Sequence, residues 1–183
     1  ELLNDYKDKV GFIAVSAVEY YNLPVSGSNG FEMRDHKPNI NESLPKVTLS
    51  NSRNQKSVYG VISSFEDFSS SGSGEREYAV GSFVSTYGTP DGDERLVINA
   101  LGEGAIWVCN INGNLENGDY ITSCEIPGYG MKQDDDLMHN YTVAKITQDC
   151  DFDLNSTKYD VVEFEHNGQT FRKAFVGCTY HCG

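Results

Sequence analysis

The chain has 183 residues, enough for one domain that buries roughly two-thirds of its unfolded surface without covalent staples. Its 11 Tyr, 9 Phe and 18 Gly are the profile of short strands joined by tight turns, so the expected class is all-β, a single barrel or sandwich spanning 1 to 183. Twenty-seven acidic against fourteen basic residues leave a net charge of -13, a surface that repels phosphate backbones and anionic bilayers; neither nucleic acid nor membrane is an expected partner.

The leading segment, 1 to 9, "ELLNDYKDK", is expected to hold at most a short helix with Leu2, Leu3 and Tyr6 on one face. It has neither the basic region nor the apolar stretch of a signal peptide, and no window approaches about 18 consecutive apolar residues. The first residue is Glu1 and not Met, so the expectation is a fragment or a processed product. Strands are predicted at 10 to 17, 45 to 50, 58 to 65, 78 to 86, 95 to 102 and 104 to 111, then in "DYITSC" and "YTVAKIT". Two polar stretches rich in Gly, Ser and Asn, 22 to 43 and 66 to 77, read as loop insertions. "NGNLENGD" is a double turn, and Asn167-Gly168 supplies the positive backbone angles of a C-terminal hairpin within "DVVEFEHNGQTFRKAFVG".

Trp107 is the only tryptophan. Alternation puts it with Ala105, Cys109 and Ile111 on one face and Ile106, Val108 and Asn110 on the other, which predicts a strand covered on both sides and a core position for Trp107. The five cysteines, Cys109, Cys124, Cys150, Cys178 and Cys182, are an odd number without repeated spacing and are expected to be reduced thiols. "GCTYHCG" brings Cys178, His181 and Cys182 together locally, but zinc needs three or four converging ligands and no second pair stands elsewhere, so terminal-strand packing is expected there.

The stretch "GYGMKQDDDLMHN" sets Asp134, Asp135 and Asp136 after a glycine bend. On an extended chain Asp134 and Asp136 share a face, while Asp135 points away. Calcium takes six to eight oxygens from a loop with alternating ligands, a spacing this stretch lacks. The expectation is a scaffold turn in which Gly128 and Gly130 permit a bend, Met131 and Leu137 reach apolar neighbours, and the aspartates cap the turn or face another subunit. No cofactor or metal is expected. There is no G-x-S-x-G elbow, H-E-x-x-H or phosphate loop, and the four histidines have no recognisable Ser or Cys partner. Without a tryptophan row or an evident carboxylate pair, a carbohydrate-processing enzyme is disfavoured.

The blocks "VYGVIS", "INALGEGAIWV", "NGDYI", "GYGMKQDDD" and "YTVAKI", in that order over roughly 44 to 152, resemble the C-terminal self-cleaving chaperone domain of viral fibre and tail-spike proteins, best known from bacteriophage neck appendages. The resemblance implies a β-rich domain that trimerises the fibre shaft preceding it, is assembled in the host cell and carried on the virion, and in cleaving members cuts the chain at its own N-terminal border. Such a domain is at most a single-turnover autoprotease. Cleaving members place acidic residues just after the scissile bond, typically as Asp-Tyr-Ala-Glu. In "NDYKDK" Asp5 and Tyr6 match, Lys7 departs, and Asp8 takes the place of the Glu; Glu1 is the other candidate, as the last letter of such a motif begun upstream. The implied catalytic acids are therefore Glu1, Asp5 and Asp8. One carboxylate would accept a proton from the attacking group and a second, protonated, would assist the leaving amine. The alternative is a permanently attached structural tip, with a host surface receptor as its partner.

Overall fold

The computed structural model describes residues 7–20, 24–27, 30–33, 45–65 and 96–182. Strands dominate, and the all-β expectation holds. After a 3-10 turn at Lys7–Lys9, the strands run β1 (Ile13–Tyr20), β2 (Pro24–Gly27), β3 (Gly30–Met33), β4 (Pro45–Leu49), β5 (Val58–Phe65) and β6 (Leu96–Asn99). They continue as β7 (Leu101–Cys109), β8 (Tyr120–Ser123), β9 (Gly130–Lys132), β10 (Thr142–Ile146), β11 (Val161–His166) and β12 (Gln169–His181). A four-stranded sheet has the order β4-β1-β5-β6; a larger one has the order β10-β8-β9-β7-β12-β11 and curls toward a barrel because β10 also pairs with β12.

β12 makes that closure possible. Its 13 residues are long for a strand. Along one side, Lys173–His181 runs antiparallel to Cys109–Leu101 of β7. Along the other, its first half pairs with β11 and Cys178–Tyr180 pairs with β10. Strict alternation turns Ala174, Val176, Cys178 and Tyr180 into the core. The hairpin that starts β12 turns at Asn167 (φ 50°) and Gly168 (φ 76°), the positive angles read from the sequence.

The main core lies inside the curl, where Ile106, Val108, Ile121, Val143, Ile146, Val176 and Phe152 meet Ile13 and Val61 of the smaller sheet. A second cluster lies across β7, with Phe12, Cys109, Cys124, Ile126, Tyr129 and Met131 backed by Trp107, Phe164 and Phe171. From Ala105 to Cys109 β7 is thus covered on both faces, as its alternation implies, while its first four residues are exposed. Trp107 is a correction to the expected core placement: it is half-buried at the rim of the second cluster, its ring 5.1 Å from Phe175. All five cysteines are free thiols, four of them buried. Cys178 points into the main core while Cys182 is half-buried beyond the end of β12, which fits terminal-strand packing.

Other differences have local causes. The break expected near residue 103 falls at Ala100, because β6 belongs to the smaller sheet (Ile98 opposite Ile62) and β7 to the larger. The segment read as continuing to residue 111 ends at Cys109, and Asn110–Asn112 closes a 3-10 turn. Within the stretch read as a loop insertion at 22 to 43, β2 and β3 pair as a hairpin. The insertion at 66 to 77 and the strand expected at 78 to 86 lie outside the described residues, as do residues 1 to 6 of the expected leading helix.

Candidate functional site

Of the three acids implied for cleavage, Glu1 and Asp5 lie outside the described residues. Asp8 is exposed on the 3-10 turn Lys7–Lys9. The residues immediately after it are held tightly, and by backbone bonds. Gly11 N–H donates to the Ile62 carbonyl (2.7 Å), and the Gly11 carbonyl accepts from Trp107 N–H (3.0 Å). The Phe12 carbonyl accepts from Ile62 N–H (2.9 Å), and Ile13 N–H donates to the Gly128 carbonyl (2.8 Å). Gly128 N–H in turn donates to the Ser50 carbonyl (2.8 Å), and Ser50 N–H donates to Ile13 (3.0 Å). Residues 11 to 13 are therefore clasped between β5, β7 and the 124 to 129 turn, so that the entering chain joins both sheets.

Two glycines make this approach possible. Gly11 and Gly128 have φ of +88° and +81°, left-handed angles that side chains oppose. A Cβ at Gly11 would come within 2.6 Å of the Phe175 ring, and one at Gly128 within 2.6 Å of the Phe12 ring. Gly130 plays a different part from the bend expected of it: its φ is ordinary for a strand, and a Cβ there would meet Ile121 at 2.5 Å. It is a close-packing glycine.

Beside the clasp, Lys173 projects from β12 over three rings. Its Nζ lies 5.4 Å from Trp107, 5.3 Å from Tyr129 and 5.5 Å from Phe164, and donates to Tyr129 Oη at 2.8 Å. The aliphatic stem covers apolar surface while the ammonium faces π-density. The sequence signal for this is the place of Lys173 between Phe171 and Phe175 on one alternating face of β12.

The aspartate turn is built by internal hydrogen bonds. Asp135 Oδ1 accepts from Leu137 N–H (3.0 Å) and from Gln133 Nε2 (2.9 Å), and both its oxygens lie 3.0 Å from His139 Nε2. Asp134 Oδ1 accepts from Asn112 Nδ2 (2.8 Å), which also donates to the Lys132 carbonyl (2.8 Å). Asp136 is exposed. The centre is a residue the sequence did not single out: Gln133, 4% exposed, donates to the Leu137 carbonyl (2.6 Å) and accepts from Thr142 Oγ1 (2.7 Å). Turn capping by Asp135 is thus observed. Met131 is fully buried as expected, whereas Leu137 is 65% exposed and does not reach apolar neighbours. Among the described residues no three His, Cys, Asp or Glu side chains converge as a metal site.

The Leu137 N–H, followed by His139, holds the Asp135 carboxyl below its ordinary value. A depressed folded value means that the turn's contribution is complete above the ordinary carboxylate range and is lost as pH falls through the folded value. Following the Asp135 carboxylate carbon by NMR should give a midpoint below that of an unstructured aspartate, and Asp135→Ala should accelerate proteolytic nicking between 134 and 139. An ordinary midpoint together with unchanged nicking would contradict this role.

Comparison with protein-family models, with curated proteins and with solved structures finds no match for the chain.

Proposed function

We propose that this chain is the C-terminal assembly domain of a viral fibre or tail appendage, a homotrimer that organises the folding of the shaft preceding it and cuts itself free at its N-terminal border. The observation that carries the reading is where the blocks of the family resemblance lie. "VYGVIS" falls on β5, "INALGEGAIWV" on β6 and β7, "NGDYI" at β8, "GYGMKQDDD" at β9 and "YTVAKI" on β10. Three of these blocks supply Ile62, Trp107 and Gly128, the partners that clasp residues 11 to 13. A domain acting on the chain that enters it needs a rigid grip just after that entry, and this one is made by the residues that suggested the family.

Open edges support assembly. Among the described residues β4, β6 and β11 each have a strand neighbour on one side only, and Val162 on β11 is 46% exposed. Such edges invite pairing unless covered, and symmetric association covers them. In the cleaving form, Asp8 and the acids before it would act next to a neighbouring subunit, away from bulk water. The reaction uses no cofactor. The second reading, a tip that stays attached on the virion and meets a host receptor, is favoured by the exposure of Asp8, whose carboxylate faces solvent in the single chain.

The test is the mass, denatured and native, of a longer chain carrying the preceding shaft, beside the same chain with Glu1, Asp5 and Asp8 changed to Ala. Self-cleavage near Glu1 that the variant abolishes, with both chains trimeric, is the expected result. An uncut trimer would favour the attached tip. A monomer would sink both readings.

A further inference from the structure

The Cys109 and Cys124 sulfurs lie 3.6 Å apart, both fully buried, one at the end of β7 and the other just after β8. We infer that these two thiols form a redox-convertible pair, which a peroxide closes to a disulfide that fastens the 124 to 129 turn to β7. The inference is independent of the fibre reading.

The geometry selects this pair. Bonding distance for sulfur is about 2.05 Å, so closure requires an approach of about 1.5 Å. β9 is only three residues long, and the turn next to Cys124 can supply that movement without breaking a long strand ladder. Cys178 and Cys182 are four positions apart along extended chain, about 13 Å, and cannot bond. The Cys124 Sγ also lies 3.3 Å from the Tyr129 carbonyl, inside the turn whose Gly128 clasps Ile13. A bond from Cys109 to Cys124 therefore ties the strand that donates Trp107 N–H to the clasp and the turn that supplies its Gly128 carbonyl.

The chemistry balances in two steps. The Cys109 sulfur attacks one peroxide oxygen, the O–O bond breaks, and Cys109 becomes a sulfenic acid with release of one water. The Cys124 sulfur then attacks the sulfenic sulfur, the S–O bond breaks, the S–S bond forms, and the hydroxyl leaves with the Cys124 proton as a second water. Two thiols have lost two hydrogens and two electrons; the peroxide has been reduced to two waters. The Cys124 S–H has the Tyr129 carbonyl 3.3 Å away as an acceptor, which holds its proton and leaves the first attack to Cys109.

The folded 183-residue chain is treated with hydrogen peroxide, then unfolded, alkylated and weighed. The expected product is lighter than the reduced chain by two hydrogens before alkylation and takes up three alkyl groups, the five thiols less two. Digestion should yield a Cys109–Cys124 cross-linked peptide that reductant separates, and the oxidised chain should unfold at higher urea. Cys124→Ala should stop at a Cys109 sulfenic acid that a dimedone probe captures. Five alkylated cysteines after oxidation, a cross-link through any other pair, or sulfinic acid without a cross-link would overturn the inference. The wild-type peptide map decides even where the variant fails to fold.

Discussion

Gly128→Ala is expected to destabilise the folded chain by about 2–5 kcal/mol, read as a lower urea midpoint. About 1–2 kcal/mol comes from placing a side chain at a left-handed φ, here +81°. About 1–3 kcal/mol more comes from overpacking, since the new methyl would stand 2.6 Å from the Phe12 ring and 3.0 Å from its Cβ, inside a buried cluster. The loss should be specific to the clasp. In the background of Phe12→Ala, which removes the colliding Cδ2 and Cγ, the cost of Gly128→Ala should fall, a coupling measured by the double-mutant cycle. A Gly128→Ala chain as stable as the parent would show that the clasp is not built as described.

Phe152→Ala is expected to cost about 3–5 kcal/mol, the usual range for emptying a fully buried aromatic site. Phe152 is 1% exposed and belongs to the core inside the curled sheet, next to the bridge between Leu115 and Cys150. Its carbonyl accepts from Arg172 Nη1 (3.3 Å), so the backbone is anchored to β12 and cannot readily collapse into the cavity. Phe152→Leu should retain most of the stability. Equal, small losses for both substitutions in urea unfolding would mean that the site is not part of the core.

What the sequence made legible was governed by local rules. The Asn167-Gly168 turn follows from the backbone angles those residues tolerate, and the two-sided cover of β7 follows from period-two alternation with apolar residues on both faces. Alternation names a face without saying how deeply it is covered, and for that reason Trp107 was expected in the core but stands at its rim. β9 escaped because three residues carry no periodic signal, and its pairing is set by distant partners, Val108 on one side and Ser123 on the other. Gly130 looked like a bend for the same reason; its need for a bare Cα comes from Ile121 across the sheet.

In the candidate site, the acidic run announced a turn because aspartates cap turns, and Asp135 does so. The division of labour among the three was not readable. Asp134 is occupied by Asn112, which lies more than twenty residues earlier and reaches it only because β7 and β9 are neighbours. Gln133 became the buried hub by facing Thr142 across the turn, and nothing in its immediate neighbours signals that. The clasp around residues 11 to 13 likewise depends on Ser50, Ile62, Trp107 and Gly128, four positions far apart in the chain.

The proposed assembly role is tested most directly by the mass of the native protein in solution. Sedimentation equilibrium at micromolar concentration should give three times the 20.3 kDa of the single chain. The mass of a single chain at every concentration examined, 20.3 kDa here and correspondingly more for one carrying the preceding shaft, would contradict the proposed assembly.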